Sequence, residues 1–421
     1  MDKFIIEGGF KLEGKVKASG AKNSSLALMP ACLLNDGENI LYNTPRVNDI
    51  FTMKKLLTHM GVDVEFNEHT LRINSKNLST QVAPYEHVKK MRASVYVLGP
   101  LLAKYGFAKV SLPGGCAWGP RPINLHLESM KKLGADVQLE EGYIIAKSKK
   151  LHGAKINFDV SSVGATGNVL MAAVLAKGST IITNAAIEPE IVQLTEMLIQ
   201  MGAQIKGKGT STLEIEGVDS LKNTSINTIS DRIEAGTILI VGAITKSKIA
   251  IEVSNPEHLN SVIVKLEDAG CKIKVDENLI EIDAQNIDIN SVDVTTAIYP
   301  GFPTDMQAQW TALMALSNGT ATITDTIYID RFNHIPELIR LGADIETIRN
   351  NAVVKGVKKL SGAKVMSTDL RASASLVLAG LAAEGTTEVL RIYHLDRGYQ
   401  RIEDKLTQLG ASIERVPTTE F

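Results

Sequence analysis

The chain has 421 residues, and with 44% hydrophobic and 22% charged residues its composition excludes a disordered, collagenous or coiled-coil protein. Its 45 Lys and Arg residues nearly balance 47 Asp and Glu residues, so the net charge of −2 gives no bulk electrostatic argument for a nucleic-acid partner. No apolar run approaches the roughly 18 residues that a membrane span needs, and no signal-peptide pattern opens the chain. We therefore expect two or three domains of a cytoplasmic protein that has no membrane partner.

A short motif recurs along the chain: a hydrophobic residue, a glycine, a small residue, a polar residue and a β-branched residue. Its six glycines, 68 to 73 residues apart, are Gly61, Gly134, Gly202, Gly270, Gly342 and Gly410. Each of them follows an amphipathic helical pattern, where a glycine supplies a left-handed cap, and precedes a short hairpin pattern. The even spacing predicts six structural units of about 70 residues.

Each unit is predicted to run helix, hairpin, strand, helix and strand. The second helix is rich in small and aliphatic residues, as in residues 372–382, so we expect helices inside and sheets outside in an α/β fold. The sixth unit stops after its glycine, whereas strand-like residues 4–6 and 11–17 are surplus to the first unit. The N-terminus is therefore expected to complete the last unit, which gives a first domain over 22–229 and a discontinuous second domain over 1–21 and 230–421.

The starts of the buried helices are candidate anion sites, because unpaired N–H groups and the positive end of the helix dipole favour phosphate and carboxylate. The six starts are predicted at residues 19–24, 90–94, 161–166, 230–234, 303–307 and 368–373. Asp231 and Asp369 are equally compatible with plain helix caps. Lys22 and Arg371 place a cation in a first turn, against the dipole, which indicates an anion held nearby.

Residues 113–122 are rich in glycine and proline around Cys116, with the cation Arg121 following, and this composition predicts a loop. An exposed cysteine near a cation has a favoured thiolate, so we interpret Cys116 as functional and Cys32 and Cys271 as small core residues. Three widely spaced cysteines without a CxxC pair indicate neither disulfides nor zinc, and the eight histidines show no metal-ligand spacing.

Two further polar segments have open interpretations. Asp305 lies at a helix start that two prolines approach, where a carboxylate serves as a base or as a cap. Arg397 lies among several arginines ahead of the last amphipathic helix, in a segment compatible with a solvated surface or with an anion clamp. His126 and His394 are interpreted as structural histidines.

Taken in chain order, these segments resemble those of the UDP-N-acetylglucosamine 1-carboxyvinyltransferases, a family of enolpyruvyl transferases. The resemblance covers essentially the whole chain and is carried by SGAKN (19–23), RAS (92–94), LPGGC (112–116), SVGAT (162–166), EPEIV (188–192), DRIE (231–234), FPTDMQAQ (302–309), DLRASAS (369–375) and HLDRGY (394–399). It implies the enolpyruvyl transferase fold, which has two inside-out α/β barrel domains, each of three repeated units with buried helices and outer sheets.

The resemblance also implies a reaction, the first committed step of peptidoglycan biosynthesis. The enolpyruvyl group of phosphoenolpyruvate passes to the 3-hydroxyl of UDP-N-acetylglucosamine by addition and elimination, and phosphate is released without a cofactor or a metal. By this analogy Cys116 protonates C3 of phosphoenolpyruvate, forms a covalent adduct with it and is the thiol that fosfomycin alkylates. Asp305 is the base for the attacking hydroxyl, and Lys22 and Arg397 complete the catalytic set.

The same analogy assigns the substrate-binding residues. Lys22, Arg121 and Arg397 hold the phosphate and carboxylate of phosphoenolpyruvate, Arg92, Arg331 and Arg371 reinforce that field, and Asn23 lies between the two substrates. The nucleotide sugar is assigned to Arg121, Pro122, Ile123, Asn124 and Leu125 at uracil, Ser162, Val163 and Gly164 at the diphosphate, and Asp305 and Ile327 at the sugar. The loop that carries Cys116 is expected to close as a lid over the bound nucleotide.

Three positions depart from the common pattern of this family: Asn124, Val160 and Ile187, where many members carry acidic or basic residues. These three differences affect the expected affinity for the nucleotide, and none of them is at a residue assigned to the chemical reaction. Two alternatives stay open. One is a transferase like 5-enolpyruvylshikimate-3-phosphate synthase, which shares the fold and the donor, and the other is a non-catalytic anion-binding paralogue.

Overall fold

The structure is a computed structural model that describes residues 1–89, 91–112 and 123–420. It forms two compact units: a continuous unit over Gly20–Ile229, and a discontinuous unit made of Met1–Ser19 with Ser230–Phe421. Among the described residues, no helix combines the length and the apolar character that crossing a bilayer requires.

The described helices alternate between buried and amphipathic types along the chain. They are α1 (Lys22–Ala31), α2 (Asn48–His59), α3 (Tyr85–Val88), α4 (Leu98–Tyr105), α5 (Asn124–Lys132), α6 (Val163–Ala173), α7 (Pro189–Gln200), α8 (Arg232–Ile244), α9 (Asn260–Asp268), α10 (Gln307–Met314), α11 (Ile335–Arg340), α12 (Leu370–Ala382) and α13 (Ile402–Gln408). Short 3-10 helices lie at Cys32–Leu34, Arg92–Val97, Pro256–Leu259, Thr304–Met306 and Ile392–Arg397.

The strands of the described residues are short, and most are five residues long. They are β1 (Asp2–Glu7), β2 (Glu13–Lys17), β3 (Glu38–Tyr42), β4 (Asp63–Asn67), β5 (Thr70–Asn74), β6 (Val82–Ala83), β7 (Phe107–Ser111), β8 (Asp136–Glu140), β9 (Tyr143–Lys147), β10 (Lys155–Asn157), β11 (Ser179–Thr183), β12 (Gln204–Lys206), β13 (Thr212–Glu216), β14 (Ser225–Asn227), β15 (Lys248–Glu252), β16 (Lys272–Asp276), β17 (Leu279–Asp283), β18 (Val294–Thr295), β19 (Thr320–Thr324), β20 (Asp344–Ile348), β21 (Asn351–Lys355), β22 (Lys364–Met366), β23 (Thr386–Leu390) and β24 (Ser412–Pro417).

Within the described ranges these strands form six four-stranded sheets of one pattern, and none closes on itself. In the sheet β10-β11-β13-β12, the first two strands are parallel, with Ile156 opposite Ile182, and the remaining neighbours are antiparallel. Each unit of the repeat thus runs strand, buried helix, strand, amphipathic helix and hairpin. This is the predicted order of elements, so the α/β fold class and the six units are confirmed.

Two N-terminal strands complete two different repeat units. Strand β1 lies between β23 and β24, with Phe4 opposite both Val389 and Arg415, so the prediction that the N-terminus completes the sixth unit is confirmed for β1. Strand β2 instead pairs in parallel with β15, with Val16 opposite Ile251, and completes the fourth unit. The first unit in turn takes β14 from the end of the third, because β14 pairs with β3.

The six motif glycines end their helices as expected. Their φ angles lie between +88° and +104°, in the left-handed region that an L side chain adopts only with strain. At Gly410, for example, φ is +97° directly after α13 and its terminal Leu409. The chain then turns into an outer strand, so a local steric preference repeated six times sets the boundaries of the units.

The buried helices form the centre of each of the two compact units. In the discontinuous unit α10 packs on α8 and α12, and every residue of α8 from Ile233 to Ile244 is buried. The strands alternate buried and exposed residues, as in β13, so each sheet has one face on the core and the other in solvent. The expectation of buried helices covered by sheets is therefore confirmed for each unit.

Candidate functional site

In the continuous unit, Lys22 is the first residue of α1, and its side chain is buried against a carboxylate. Its Nζ lies 3.1 Å from Oδ2 of Asp49, and the two side chains are only 11% and 6% exposed. Asp49 lies in the first turn of α2, where an acidic residue is usual, so sequence reasoning gave it no role. The neighbouring Asn23 is exposed.

The buried ring of His126 connects three predicted segments of the continuous unit. It lies in α5 directly after residues 123–125, and the charge of Arg92 contributes to lowering its pKa. A Cβ added to Gly164 would lie 3.2 Å from its Cε1 and Nε2 atoms, so glycine at this position lets the ring approach α6. The structure thus brings Arg92, Ile123–Leu125 and the start of α6 into one neighbourhood around His126.

The hydrogen bonds of this histidine indicate a neutral ring. Asn168 donates through Nδ2 to the backbone oxygen of Val95 at 3.0 Å, and its Nδ2 also lies 2.9 Å from Nδ1 of His126. Its Oδ1 accepts from the backbone N–H of Gly99 at 2.8 Å, so the orientation of the amide is fixed and Nδ1 of His126 is the acceptor. Burial, reinforced by Arg92, lowers the pKa of His126 to about 4. The interpretation of His126 as structural agrees with these contacts.

Other predicted residues of this unit lie near helix starts. Ser162 caps α6, and its Oγ accepts from the backbone N–H of Ala165 at 3.3 Å. Val163 and Gly164 form the first turn of that helix, and Asn124 is exposed at the start of α5. Two of the first four N–H groups of this segment, those of Ala165 and Thr166, donate to Ser162, and the positive end of the helix dipole at Val163 and Gly164 favours an anion.

The predictions for Cys116, Arg121 and Pro122 lie outside the described residues. The two described cysteines, Cys32 and Cys271, are buried free thiols, which confirms them as core residues. Burial raises the pKa of both thiols, that of Cys271 to about 12.

In the discontinuous unit, Asp305 lies between two buried arginines. Its Oδ1 is 2.8 Å from Nη1 of Arg331, and its Oδ2 is 2.7 Å from Nη2 of Arg371. The side chain of Asp305 is 26% exposed, whereas those of Arg331 and Arg371 are 9% and 5% exposed. The cap positions of the local helices are Pro303 and Met306, so Asp305 is not a cap residue. A solvent-accessible carboxylate is thus fixed in place by two cations.

A second carboxylate, Asp325, holds the loop next to Asp305 and Arg331 in place. The sequence pattern did not single it out. It is fully buried and accepts from the hydroxyls of Thr296 and Thr304 at 2.8 and 2.7 Å. Its Oδ1 also accepts from the backbone N–H of Ile327 at 2.9 Å. Arg331 donates to Oγ1 of Thr304 at 3.0 Å, so Asp325 links the backbone at Ile327 to the Arg331 guanidinium.

Arg371 is the second residue of α12 and its charge is stabilised locally. Burial is the largest single influence and disfavours the charged guanidinium, but the charges of Asp305, Tyr399 and Asp231 and the hydrogen bond to Asp305 together outweigh it. The pKa of Arg371 therefore lies above its ordinary value. Asp369 caps α12 and Asp231 caps α8, each by accepting from two backbone N–H groups. The structure therefore supports the capping interpretation of these two aspartates.

Arg397 ends the 3-10 helix Ile392–Arg397 and is half-buried. The preceding residue, Asp396, accepts a bidentate pair of bonds from Arg415 at 2.7 and 3.0 Å. Arg415 also donates to Glu403 at 2.7 Å, which ties the 3-10 helix to α13 and β24. Within residues 1–89, 91–112 and 123–420, no three His, Cys, Asp or Glu side chains cluster as metal ligands would.

The chemistry available at these residues is anion binding and proton transfer. Lys22, Arg331 and Arg371 are buried or nearly buried cations at helix starts or beside them, where phosphate and carboxylate groups bind most strongly. Asp305 is an accessible carboxylate whose ionised form the two arginines favour, as a proton acceptor requires.

Comparison with known proteins agrees with this chemistry. The family model described as EPSP synthase (3-phosphoshikimate 1-carboxyvinyltransferase) matches residues 6–406. A UDP-N-acetylglucosamine 1-carboxyvinyltransferase of Chloroherpeton thalassium is 58% identical and covers 100% of this chain and 99% of its own length. The protein of the same name from Chlorobium chlorochromatii is 57% identical, with 100% of both chains covered.

Solved structures show the same fold at low sequence identity. The enolpyruvyl transferase NikO from Streptomyces tendae superposes with a TM-score of 0.89 at 23% identity, over 99% of each chain. The EPSP synthase from Acinetobacter baumannii gives a TM-score of 0.77 at 18% identity, over 99% of this chain and 100% of its own. The chain is therefore a transferase of the EPSP synthase family, in the group of the UDP-N-acetylglucosamine 1-carboxyvinyltransferases.

Proposed function

We propose that this chain transfers the enolpyruvyl group of phosphoenolpyruvate to the 3-hydroxyl of UDP-N-acetylglucosamine and releases phosphate, as the first committed step of peptidoglycan biosynthesis. The names of its full-length relatives at 57 and 58% identity support this pair of substrates. The observation that carries the proposal is the arrangement of Asp305 between Arg331 and Arg371. An accessible carboxylate held by buried cations suits a hydroxyl acceptor and an anionic donor.

The reaction consists of an addition and an elimination. In the addition, the sugar 3-hydroxyl oxygen bonds to C2 of phosphoenolpyruvate, its proton passes to Asp305, and C3 gains a proton from Cys116. The product is a tetrahedral phospho-ketal. In the elimination, C3 returns a proton to the Cys116 thiolate, and the carbon–carbon double bond forms again as the bond from C2 to the phosphate oxygen breaks. Phosphate leaves with the proton that Asp305 had taken up.

The cations of both units have separate roles in this proposal. Lys22 and Arg397, with Arg121, bind the phosphate and carboxylate of the donor and stabilise the negative charge that the phosphate gains as it leaves in the elimination. Arg331 and Arg371 orient Asp305 toward the acceptor hydroxyl. Their buried positions support this role, because a cation in a poorly solvated environment acts more strongly on a neighbouring charge.

The nucleotide part of the acceptor is assigned to the continuous unit. The start of α6, with its Ser162 cap and its Gly164, suits a diphosphate, because backbone N–H groups and the helix dipole both favour it. Residues 123–125 are assigned to uracil, and Ile327, whose backbone Asp325 holds, is assigned to the sugar.

The test is phosphate release from phosphoenolpyruvate, measured with UDP-N-acetylglucosamine and with shikimate 3-phosphate as acceptors. We expect release only with the nucleotide sugar, and a fall of about 100-fold or more in Asp305→Asn and Cys116→Ala. Asp330→Asn is the matched control, because it removes an exposed carboxylate beside Arg331 and should keep the activity.

Each other outcome has a defined meaning. Release with shikimate 3-phosphate alone would show that the acceptor is shikimate 3-phosphate and not the nucleotide sugar, as the name of the family model, EPSP synthase, suggests. Folded protein that releases phosphate with neither acceptor would contradict the enzyme assignment and favour an anion-binding paralogue. Full activity in Asp305→Asn would refute its role as the base.

A further inference from the structure

A buried tyrosine next to Arg371 has no role in the function proposed above. Tyr399 is 2% exposed, and its hydroxyl lies 2.9 Å from Oγ1 of Thr237 in α8 and 3.1 Å from Nε2 of Gln309 in α10. The Cζ atom of Arg371, in α12, is 5.4 Å from the centroid of its ring. One side chain therefore contacts all three buried helices of the discontinuous unit.

We infer that Tyr399 is a positioning residue that fixes the Arg371 guanidinium and, through it, the Asp305 carboxylate. Arg371 reaches Asp305 through Nη2, while its Nε is buried and finds no hydrogen-bond acceptor among the described residues. The ring of Tyr399 is thus a main constraint on the plane of this guanidinium. Arginine stacks on aromatic faces in this way, at a gain that grows when the pair is desolvated.

A second connection runs from Tyr399 to the backbone of Asp305. Nε2 of Gln309 donates to the backbone oxygen of Asp305 at 3.0 Å and lies within 3.2 Å of Oγ1 of Thr237. The same amide group is the one that contacts the Tyr399 hydroxyl. Tyr399 therefore constrains Asp305 through its side-chain partner Arg371 and through its own main chain.

The charges around this group are compatible with that role. Asp305 faces Arg331 in addition to Arg371, and Arg371 also interacts electrostatically with Asp231, the cap of α8. Arg331 lies 2.8 Å from Oδ1 of the carboxylate and Arg371 lies 2.7 Å from Oδ2, so a loose Arg371 would weaken the hold on Oδ2. A displacement of about 1 Å at a reacting group is enough to slow a reaction about 100-fold.

The inference rests on the proposed function, and its kinetic test compares Tyr399→Leu with Tyr399→Phe. We expect the leucine variant to lower kcat about 10- to 100-fold, with little change in KM for the nucleotide sugar, because the base is misplaced and the nucleotide contacts remain. The phenylalanine variant keeps the ring face but loses the hydroxyl contacts with Thr237 and Gln309, so its kcat should fall much less, by about three- to fivefold. In an Arg371→Lys background, Tyr399→Leu should cause only the small further loss that the connection through Gln309 accounts for, since Tyr399 acts mainly through Arg371.

A second readout does not depend on activity. The side-chain N–H signals of arginines in ¹⁵N NMR report rotation of the guanidinium, and the Arg371 signal is assigned from its disappearance in Arg371→Lys. We expect slow rotation in wild type and Tyr399→Phe, and fast rotation in Tyr399→Leu. Phe158→Leu is the matched control, because Phe158 is a fully buried aromatic of the continuous unit whose loss should lower stability and leave both readouts unchanged.

The outcomes separate the two hypotheses. If Tyr399→Leu is folded and keeps both the kcat and the Arg371 rotation of wild type, the inference is overturned. If Tyr399→Leu does not fold, Gln309→Met replaces it, with a smaller loss of kcat expected and full activity counting against the inference. If wild type releases no phosphate, the proposed function fails, while the rotation of Arg371 still decides whether Tyr399 positions it.

Discussion

The free energy of unfolding of the continuous unit should depend on pH because of the His126 ring. Replacing His126 by glutamine should remove this dependence. Burial, reinforced by Arg92, lowers the pKa of His126 to about 4 in the folded protein, against 6.5 in an unfolded chain. Between pH 6.5 and pH 4, His126 is protonated in the unfolded chain but stays neutral in the folded protein. The stabilisation is therefore complete above pH 6.5 and is lost as the pH falls toward 4.

The size of the effect follows from the two pKa values. At pH 5 the lost free energy of unfolding is about 2 kcal/mol, and below pH 4 it approaches about 3 kcal/mol. Urea unfolding at pH 8 and pH 5, followed by pulsed hydrogen exchange of peptides from α5 and α6, reports on the unit that contains His126. Wild type should lose about 2 kcal/mol more between these pH values than His126→Gln.

The comparison between variants isolates one group, because all other titrating residues are shared. His152→Gln replaces an exposed histidine of the same unit and should keep the pH dependence of wild type. An equal loss of stability in wild type and His126→Gln would refute the reasoning, since the ring would then exchange protons as freely in the folded state as in the unfolded one.

Three further predictions concern stability and reactivity. Asp325→Asn should lower the free energy of unfolding by about 3 kcal/mol in thermal denaturation, because a buried carboxylate with several donors is replaced, whereas exposed Asp330→Asn should change it by less than about 0.5 kcal/mol. Cys32 and Cys271 should stay unmodified when the native protein is treated with iodoacetamide and react fully in urea, as mass spectrometry would show, because burial raises the pKa of both thiols. Gly202→Ala should cost about 1 kcal/mol in urea unfolding through backbone strain alone, since φ is +104° and no atom lies within 4 Å of the added Cβ.

The repeated units could be predicted because their signals are local. A glycine cap, an amphipathic period and a short hairpin each depend on a few neighbouring residues, and together they recur six times. The pairing of β2 with β15 could not be predicted, because it joins segments about 235 residues apart and depends on the packed core. Two of the six buried-helix starts, at Arg92–Val97 and Thr304–Met306, are 3-10 turns, and their cap positions Met91 and Pro303 carry no side-chain capping group.

The site shows the same division between local and distant information. Cations at helix starts, such as Lys22 and Arg371, could be singled out because they oppose the dipole of their own helix. Their partners could not, since Asp49 and Tyr399 come from other elements and have ordinary local explanations, an acidic first turn and a core aromatic. The resemblance to a family added roles for residues, which the geometry around Asp305 makes testable.

The position of β1 has a consequence for the order in which the chain folds. The described strands of the continuous unit have all been synthesised once Asn227 is made, whereas the sheet that contains β1 needs β24, which ends at Pro417. The N-terminal strands therefore leave the ribosome first and stay unpaired for the longest time. During that time their exposed backbone groups can pair with a neighbouring nascent chain. The N–H of Thr418 donates to the backbone oxygen of Met1 at 2.7 Å, so a short linker after Thr418 could lead back to Met1. A circular permutant that begins at Gly20 would make both units continuous and remove that wait.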